Sequence, residues 1–204
     1  MKKYLEFHFD ISFDIKLDEL PPLLSEINKL SRIITNEKDL YLVLRGIKTT
    51  MNKKVNKFKL LMKASVDGDS ASVFHQKCDN IPFTLTLVLT EKNRRFGGFT
   101  SILWNSTNNY KPDPQAFIFS LDNHEIYYLK NKKTKYGIYC RSDFGPTFGS
   151  SHDFFISNQC RSNSNSSDST SIDSTYFTKG RNYALVFEQN FKIIDYEVYQ
   201  LEFN

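Results

Sequence analysis

The sequence predicts a predominantly β protein of the α+β class, built as a two-layer antiparallel β-sandwich flanked by a few short helices. Aromatic residues are abundant, with 18 Phe and 11 Tyr in the chain, and aromatic side chains suit pleated, half-buried strands. Short segments with strand-like patterns recur along the second half of the chain and are separated by turn-forming residues. The two clearest helical patterns precede this series, so strands and helices do not alternate as they do in a parallel α/β sheet.

Composition limits the classes of protein to consider. With 204 residues, 40% of them hydrophobic and 25% charged, the chain is long enough for one large domain with a real core. The net charge of +4 comes from interleaved acidic and basic residues, with a local basic cluster at 53–63, and does not indicate nucleic-acid binding. Three cysteines at wide spacing predict neither a disulfide framework nor a zinc site. Because the sequence shows no signal peptide and no apolar run of membrane-spanning length, we expect a cytoplasmic protein.

The first thirty residues read as an N-terminal extension, followed by the main domain at 31–204. Residues 4–15 alternate between apolar and polar side chains, which predicts a strand. From Leu20 the spacing becomes helical, and the apolar stripe of this amphipathic helix consists of Leu20, Leu23, Leu24, Ile27 and Leu30. The pattern leaves open whether the extension packs on the domain or reaches a partner.

A second helix is predicted over 36–45, with Thr35 or Asn36 as its N-cap and an end near Gly46. A strand follows at 58–65, and Asp67-Gly68 is a turn signal. We expect Asp69 to cap a short helix that ends at Cys78 and places Phe74 and Cys78 on its inner face.

The clearest alternation in the chain, at 83–90, has little charge on either face and predicts a central strand. A stretch at 161–175, rich in Ser, Asn and Asp, has almost no apolar side chain and reads as a flexible surface loop inserted in the domain. Further strands are predicted at 94–104, 116–121, 125–130, 136–141, 153–157, 183–189 and 192–203.

Several local motifs carry structural information. The pair Gly97-Gly98 within a strand indicates a bulge or a close backbone approach. Trp104, the only tryptophan, is expected to be a core anchor whose indole N–H needs a partner. Gly145-Pro146 predicts a turn that returns Phe148 to a strand.

Taken in order, these motifs resemble the TLDc domain family over about residues 31–203. The run from Arg95 to Trp104 resembles the family's Phe-Gly-Gly-aromatic signature, and similar matches follow at 113–121, 144–156 and 194–199. Upstream, segments of 31–78 fall where the family has its first helix, first strand and short helix. The residues that match the family motifs are Phe96, Gly97, Gly98, Phe99, Trp104, Phe117, Phe119, Gly145, Pro146, Phe148, Glu197 and Val198.

The resemblance implies a non-catalytic domain that binds the cytosolic sector of the vacuolar-type proton ATPase and contributes to oxidative-stress resistance. No cofactor is expected, and the expected location is the cytoplasm, including the cytosolic face of acidic organelles, with membrane association only through the partner. Contacts are expected on the Asn105–Pro114 loop, on the Arg141–Ser151 turn and on the N-terminal extension, because loops on a rigid scaffold make most contacts. The predicted contact residues are Asn105, Tyr110, Lys111, Arg141, Asp143 and His152.

The alternative is a small cytosolic enzyme that uses a Cys/His pair. His75 and Cys78 are one helical turn apart, and His152-Asp153 could meet Cys140 after folding. No nucleophile or metalloprotease motif accompanies these residues. Three aspartates near one turn, Asp67, Asp69 and Asp79, lack calcium-site spacing and read as capping and turn residues rather than metal ligands.

Overall fold

The computed structural model describes residues 20–204, and the strand predicted at 4–15 lies outside these residues. The described part is mostly β, as predicted, with four helices and twelve strands. The helices are α1 (Leu20–Asn28), α2 (Glu37–Met51), α3 (Ala64–Asp67) and α4 (Ala71–Cys78). The strands are β1 (Val55–Lys63), β2 (Thr84–Thr90), β3 (Arg95–Thr100), β4 (Asn109–Lys111), β5 (Phe117–Ser120), β6 (Glu125–Tyr128), β7 (Ile138–Cys140), β8 (Phe144–Phe148), β9 (Phe154–Ser157), β10 (Ser166–Asp168), β11 (Asn190–Phe191) and β12 (Ile193–Phe203).

The strands form two antiparallel sheets of six strands each. The first sheet has the order β1-β12-β2-β3-β5-β6, and the second has the order β11-β10-β9-β8-β7-β4. One apolar cluster fills the space between the sheets. There, Phe96 of β3 contacts Phe154 of the second sheet, and Trp104, which follows β3, contacts Phe148 of the second sheet. A second cluster lies between the other face of the first sheet and helices α1 and α2. The central strands of the first sheet are therefore buried on both faces, which is why β2 has no solvated side.

The family-motif residues build this layered core. The rings of Phe96, Phe99, Phe117, Phe119 and Phe148 are fully buried, as is Val198. Gly97 lies where an added Cβ would come within 2.1 Å of the Thr86 carbonyl oxygen, and a Cβ on Gly98 would come within 2.7 Å of the Phe148 ring. The glycine pair thus marks a close approach rather than a bulge, since the pairing of β2 with β3 is regular across it.

Trp104 fulfils the expectation of a core anchor. It is 1% exposed, and its indole Nε1–H donates to Thr84 Oγ1 at 2.8 Å. Glu197 is a buried carboxylate that accepts from Lys63 Nζ at 2.7 Å and from the Tyr199 hydroxyl at 3.0 Å. Lys63 Nζ also donates to the Leu30 carbonyl oxygen, so this cluster ties the end of the α1 segment to β12.

Both predicted helices of the N-terminal part are present, but the second is longer than expected. Asn36 is its N-cap, with the side chain accepting from Asp39 N–H at 3.0 Å. The helix continues through Gly46 to Met51. Gly46 provides room for the Phe117 ring, which would lie 2.6 Å from an added Cβ. Gly46 therefore serves packing and does not end the helix.

Several other local predictions were wrong. Ser70, not Asp69, caps α4, with its Oγ accepting from Val73 N–H. Gly145-Pro146 lies within β8 and not in a turn, and a register shift between β8 and β9 at this point accommodates the proline, which has no N–H.

The region after β9 differs most from expectation. The segment 161–175 contains strand β10 and the buried side chains of Ser166, Asp168 and Thr170, so it is not a flexible surface loop. The segment 183–189 is a series of turns rather than a strand, although Ala184, Leu185 and Val186 are buried. An apolar run of this length is compatible with a buried turn as well as with a strand.

Candidate partner-binding surface

The outer face of the second sheet carries a group of aromatic side chains. Strand alternation places Ile138 and Cys140 in the core and turns Tyr139 outward, so that Tyr139 is half-buried. Phe155 of β9 is outward for the same reason, between buried Phe154 and Ile156. We define the aromatic face as Tyr110, Tyr136, Tyr139, Phe144, His152 and Phe155, all of them half-buried.

The rings of the aromatic face hold one another in place. Tyr110 and Tyr139 are cross-strand partners whose rings stack at 4.4 Å, and Tyr136 meets Tyr110 edge-on at 4.9 Å. The His152 ring stacks on Tyr139 at 5.3 Å. Phe144 and Phe155 stack at 4.6 Å, and both contact His152. The Tyr110 hydroxyl donates to the Ser150 carbonyl oxygen at 2.6 Å, which fixes the edge of the group.

Charged groups lie at one side of the aromatic face. The Arg141 guanidinium is 4.1 Å from the centre of the Phe144 ring and makes two hydrogen bonds to Asp143, at 2.5 and 3.0 Å. The hydrogen bond from Arg141 lowers the pKa of the Asp143 carboxyl, so this pair is ionised at neutral pH. Burial, together with the positive charge of Arg141, lowers the pKa of His152, so its imidazole is neutral at pH 7.

The structure brings together four of the six predicted contact residues. Tyr110 and His152 belong to the aromatic face, and Arg141 and Asp143 lie at its edge. The other two make local contacts in the loop before β4: Asn105 Oδ1 accepts from the Thr107 hydroxyl, and Lys111 Nζ donates to the Leu103 carbonyl oxygen.

Sequence reasoning missed Tyr136, Tyr139, Phe144 and Phe155 as members of this surface. The signal for Tyr139 and Phe155 was present, because each lies between two core residues of a predicted strand. Their grouping with Tyr110 depends on the order of strands β4, β7, β8 and β9 in the sheet, which local patterns do not encode.

The histidines considered for a Cys/His enzyme have other partners in the structure. Both ring nitrogens of His75 form hydrogen bonds with oxygen atoms. Nδ1 lies 2.8 Å from Asp79 Oδ1, and Nε2 lies 2.9 Å from the Arg141 carbonyl oxygen. Because a carbonyl oxygen only accepts, Nε2 carries a hydrogen and cannot act there as a base. His152, the other candidate, is stacked among aromatic rings.

The three thiols lie in apolar, buried surroundings, whereas a reactive cysteine needs a partly exposed, electropositive site. Cys78, Cys140 and Cys160 are all fully buried. Burial raises the pKa of the Cys78 and Cys140 thiols and raises that of Cys160 to about 12, so all three are protonated at neutral pH. These observations do not support the enzymatic alternative.

The aspartates considered as metal ligands have protein partners. Asp67 accepts from Lys77 Nζ at 2.5 Å and from the Lys63 N–H at 2.8 Å, and Asp69 accepts from the Arg161 N–H at 2.8 Å. Within residues 20–204, no group of three or more His, Cys, Asp or Glu side chains could hold a metal ion.

The family model described as the TLDc domain matches residues 28–202 of the chain. The chain belongs to the TLDc domain family. The match includes both sheets and helices α2, α3 and α4, whereas almost all of α1 precedes it. A search of curated proteins gave no match to this TLDc protein. In the part of the chain that the structure describes, no helix is long and apolar enough to cross a membrane.

Proposed function

We propose that this TLDc domain is a non-catalytic interaction module that binds the cytosolic sector of the vacuolar-type proton ATPase through its aromatic face. The observation that supports the proposal is the grouping of six half-buried rings with the Arg141–Asp143 pair on one face of the second sheet. Rings that already hold one another lose little side-chain entropy on binding, and Tyr and Arg are frequent anchors of protein interfaces.

Family membership supports the choice of partner, since binding to this pump is what the resemblance to TLDc domains implied. On this proposal the protein works in the cytoplasm and at the cytosolic face of acidic organelles, where it contributes to oxidative-stress resistance. It needs no cofactor for this role and makes no contact with nucleic acid.

We also propose that residues 1–30 form an extension to a domain spanning 31–204. Helix α1 of this extension packs on the domain, with Leu20 and Ile27 in the apolar cluster beneath it. A helix of nine residues is unstable alone in water, so its packing provides most of its stability.

A pull-down with the full chain as bait and a lysate containing assembled pump tests the proposal. We expect pump subunits to be retained at moderate salt and to be lost with Tyr139→Ser and His152→Ser, which remove the two stacked rings at the centre of the aromatic face. Truncating central interface rings costs about 2 kcal/mol or more, which corresponds to a loss of affinity of about 30-fold or more.

The matched control is Phe187→Ser, since Phe187 is 52% exposed and lies on a turn outside the aromatic face. This variant should retain the pump subunits. Retention that is unchanged by both ring substitutions would assign binding to another surface, and the absence of any pump subunit with the unmodified chain would refute the choice of partner.

A further inference from the structure

A second surface, between two of the family motifs in the sequence, combines positive charge with exposed apolar side chains. The turn between β6 and β7 carries four lysines within six residues, and we call residues 130–135 the lysine turn. The side chains of Lys130, Lys132, Lys133 and Lys135 all lie on exposed residues. In the described part of the chain, none of these four ammonium groups forms an ion pair with a carboxylate.

The fold places exposed apolar residues beside the lysine turn. Lys130 Nζ donates to the Ile172 carbonyl oxygen at 2.5 Å, and Phe177 N–H donates to the Tyr128 carbonyl oxygen at 2.8 Å. Ile172 is 70% exposed and Phe177 is 56% exposed, which makes them two of the most exposed large apolar residues described. Phe177 also forms one wall of an open cavity of about 470 Å³, together with Ile126, Tyr128, Leu129, Lys130 and Lys179.

Acidic groups near this surface are few. Asp173 is exposed beside Ile172, and Glu125 is paired with Lys179 at 2.9 Å. The lysines of the turn outnumber these carboxylates, so the surface has a net positive charge.

We propose that the lysine turn, with Ile172 and Phe177, binds the surface of an anionic lipid bilayer directly. Four lysines on one turn, none of them in an ion pair with a described carboxylate, suit a fluid array of lipid headgroups, because each ammonium acts as a point charge that needs no fixed geometry. Binding sites for acidic protein segments more often use arginines, whose guanidinium groups make two parallel hydrogen bonds to a carboxylate. The lysine turn contains no arginine. The two apolar side chains supply the part of the binding energy that salt does not screen, as at other interfacial membrane contacts.

Flotation of the purified full chain with protein-free vesicles tests this inference. We expect little binding to phosphatidylcholine vesicles and clear binding to vesicles that contain about 30% phosphatidylserine. Raising the salt from about 0.1 M to about 0.5 M should weaken binding strongly, because the Debye length shortens. Since these vesicles contain no protein, the outcome is independent of pump binding.

Two pairs of substitutions locate the contact. Lys132→Gln with Lys133→Gln should lower the partition coefficient by about 30-fold, given the usual contribution of about 1 kcal/mol for each lysine near an anionic surface. The matched control is Lys57→Gln with Lys59→Gln, which removes the same charge from exposed lysines of β1 and should have a much smaller effect. Ile172→Ser with Phe177→Ser should remove the binding that persists at high salt, while the melting temperature stays unchanged.

Equal binding to neutral and anionic vesicles would overturn the inference, as would an equal loss in the β1 control. If the chain bound an oligoglutamate peptide but not the anionic vesicles, the lysine turn would be a site for acidic protein segments and the lipid proposal would be wrong.

Discussion

Asp153 is a buried carboxylate at the start of β9 that has only part of its hydrogen-bonding capacity filled. Its Oδ2 accepts from the Tyr176 N–H at 2.9 Å, whereas its Oδ1 has no partner among residues 20–204. Burial raises the pKa of Asp153 to about 7, since the charged form loses its hydration and gains no cation in contact. Gly149 faces this carboxyl group closely, because an added Cβ would lie 2.4 Å from its carbon.

The raised pKa has a consequence for stability against pH. The folded state binds the Asp153 proton more tightly than the unfolded state does. The contribution of the protonated carboxyl group to the free energy of unfolding is therefore complete below the unfolded pKa of about 4, and it is lost as the pH rises to about 7. We expect Asp153→Asn, which stays neutral, to be more stable than the parent at pH 7.5 by about 1 to 3 kcal/mol. At pH 4 this advantage should disappear.

Urea unfolding of both proteins at several pH values measures the difference directly. Parallel curves for the parent and Asp153→Asn between pH 4 and pH 7.5 would show that Asp153 titrates normally.

At the scale of elements, the chain between β9 and β12 is organised by a second buried carboxylate. Asp168 Oδ1 accepts from the backbone N–H and the hydroxyl of Thr170, and Oδ2 accepts from the N–H groups of Leu185 and Val186 at 2.8 and 3.1 Å. These bonds satisfy buried backbone N–H groups in the turns at 183–187. In a regular sheet, a neighbouring strand would accept from such groups. Polar side chains of 161–175 such as Asp168 therefore make hydrogen bonds in the interior of the protein.

We expect Asp168→Ala to destabilise the fold by about 3 kcal/mol, because it leaves several buried donors without an acceptor. The amides of Leu185 and Val186 should lose their protection in hydrogen exchange before the rest of the second sheet does. Asp173→Ala is the matched control, since Asp173 is exposed in the same segment. Equal protection in the two variants would refute the role given to Asp168.

At the scale of the whole molecule, the three cysteines lie in the apolar cluster between the two sheets. They come from α4, β7 and the turn after β9, yet all share one layer. Because that layer opens only when the sheets separate, the reactivity of the thiols should report on global unfolding.

We expect a thiol reagent to label none of the three cysteines at an appreciable rate in native buffer at pH 8 and to label all of them in urea. A Ser106→Cys variant provides the control, since Ser106 is exposed and its thiol should react at once. Rapid labelling of Cys78 or Cys140 in the native protein would show a reachable thiol and would reopen the enzymatic alternative.

Local patterns were sufficient for much of the fold because their causes are local. Asn36 caps α2 through its own side chain, and β2 shows its period-two alternation within seven residues. The close approach at Gly97-Gly98, one of the two alternatives, and the core position of Trp104 were predictable, because each residue type there meets a steric or hydrogen-bonding demand that few others can meet.

Local patterns and motifs were enough to predict the class of fold, most of the strands of the first sheet and membership of the TLDc family. The partial burial of 161–175 and the continuation of β8 through Gly145-Pro146 became apparent only in the folded chain. The same holds for the position of Tyr110, Tyr139 and His152 on one face. These features depend on hydrogen bonds and ring contacts between residues distant in the chain, and periodicity within a short segment carries no information about such partners.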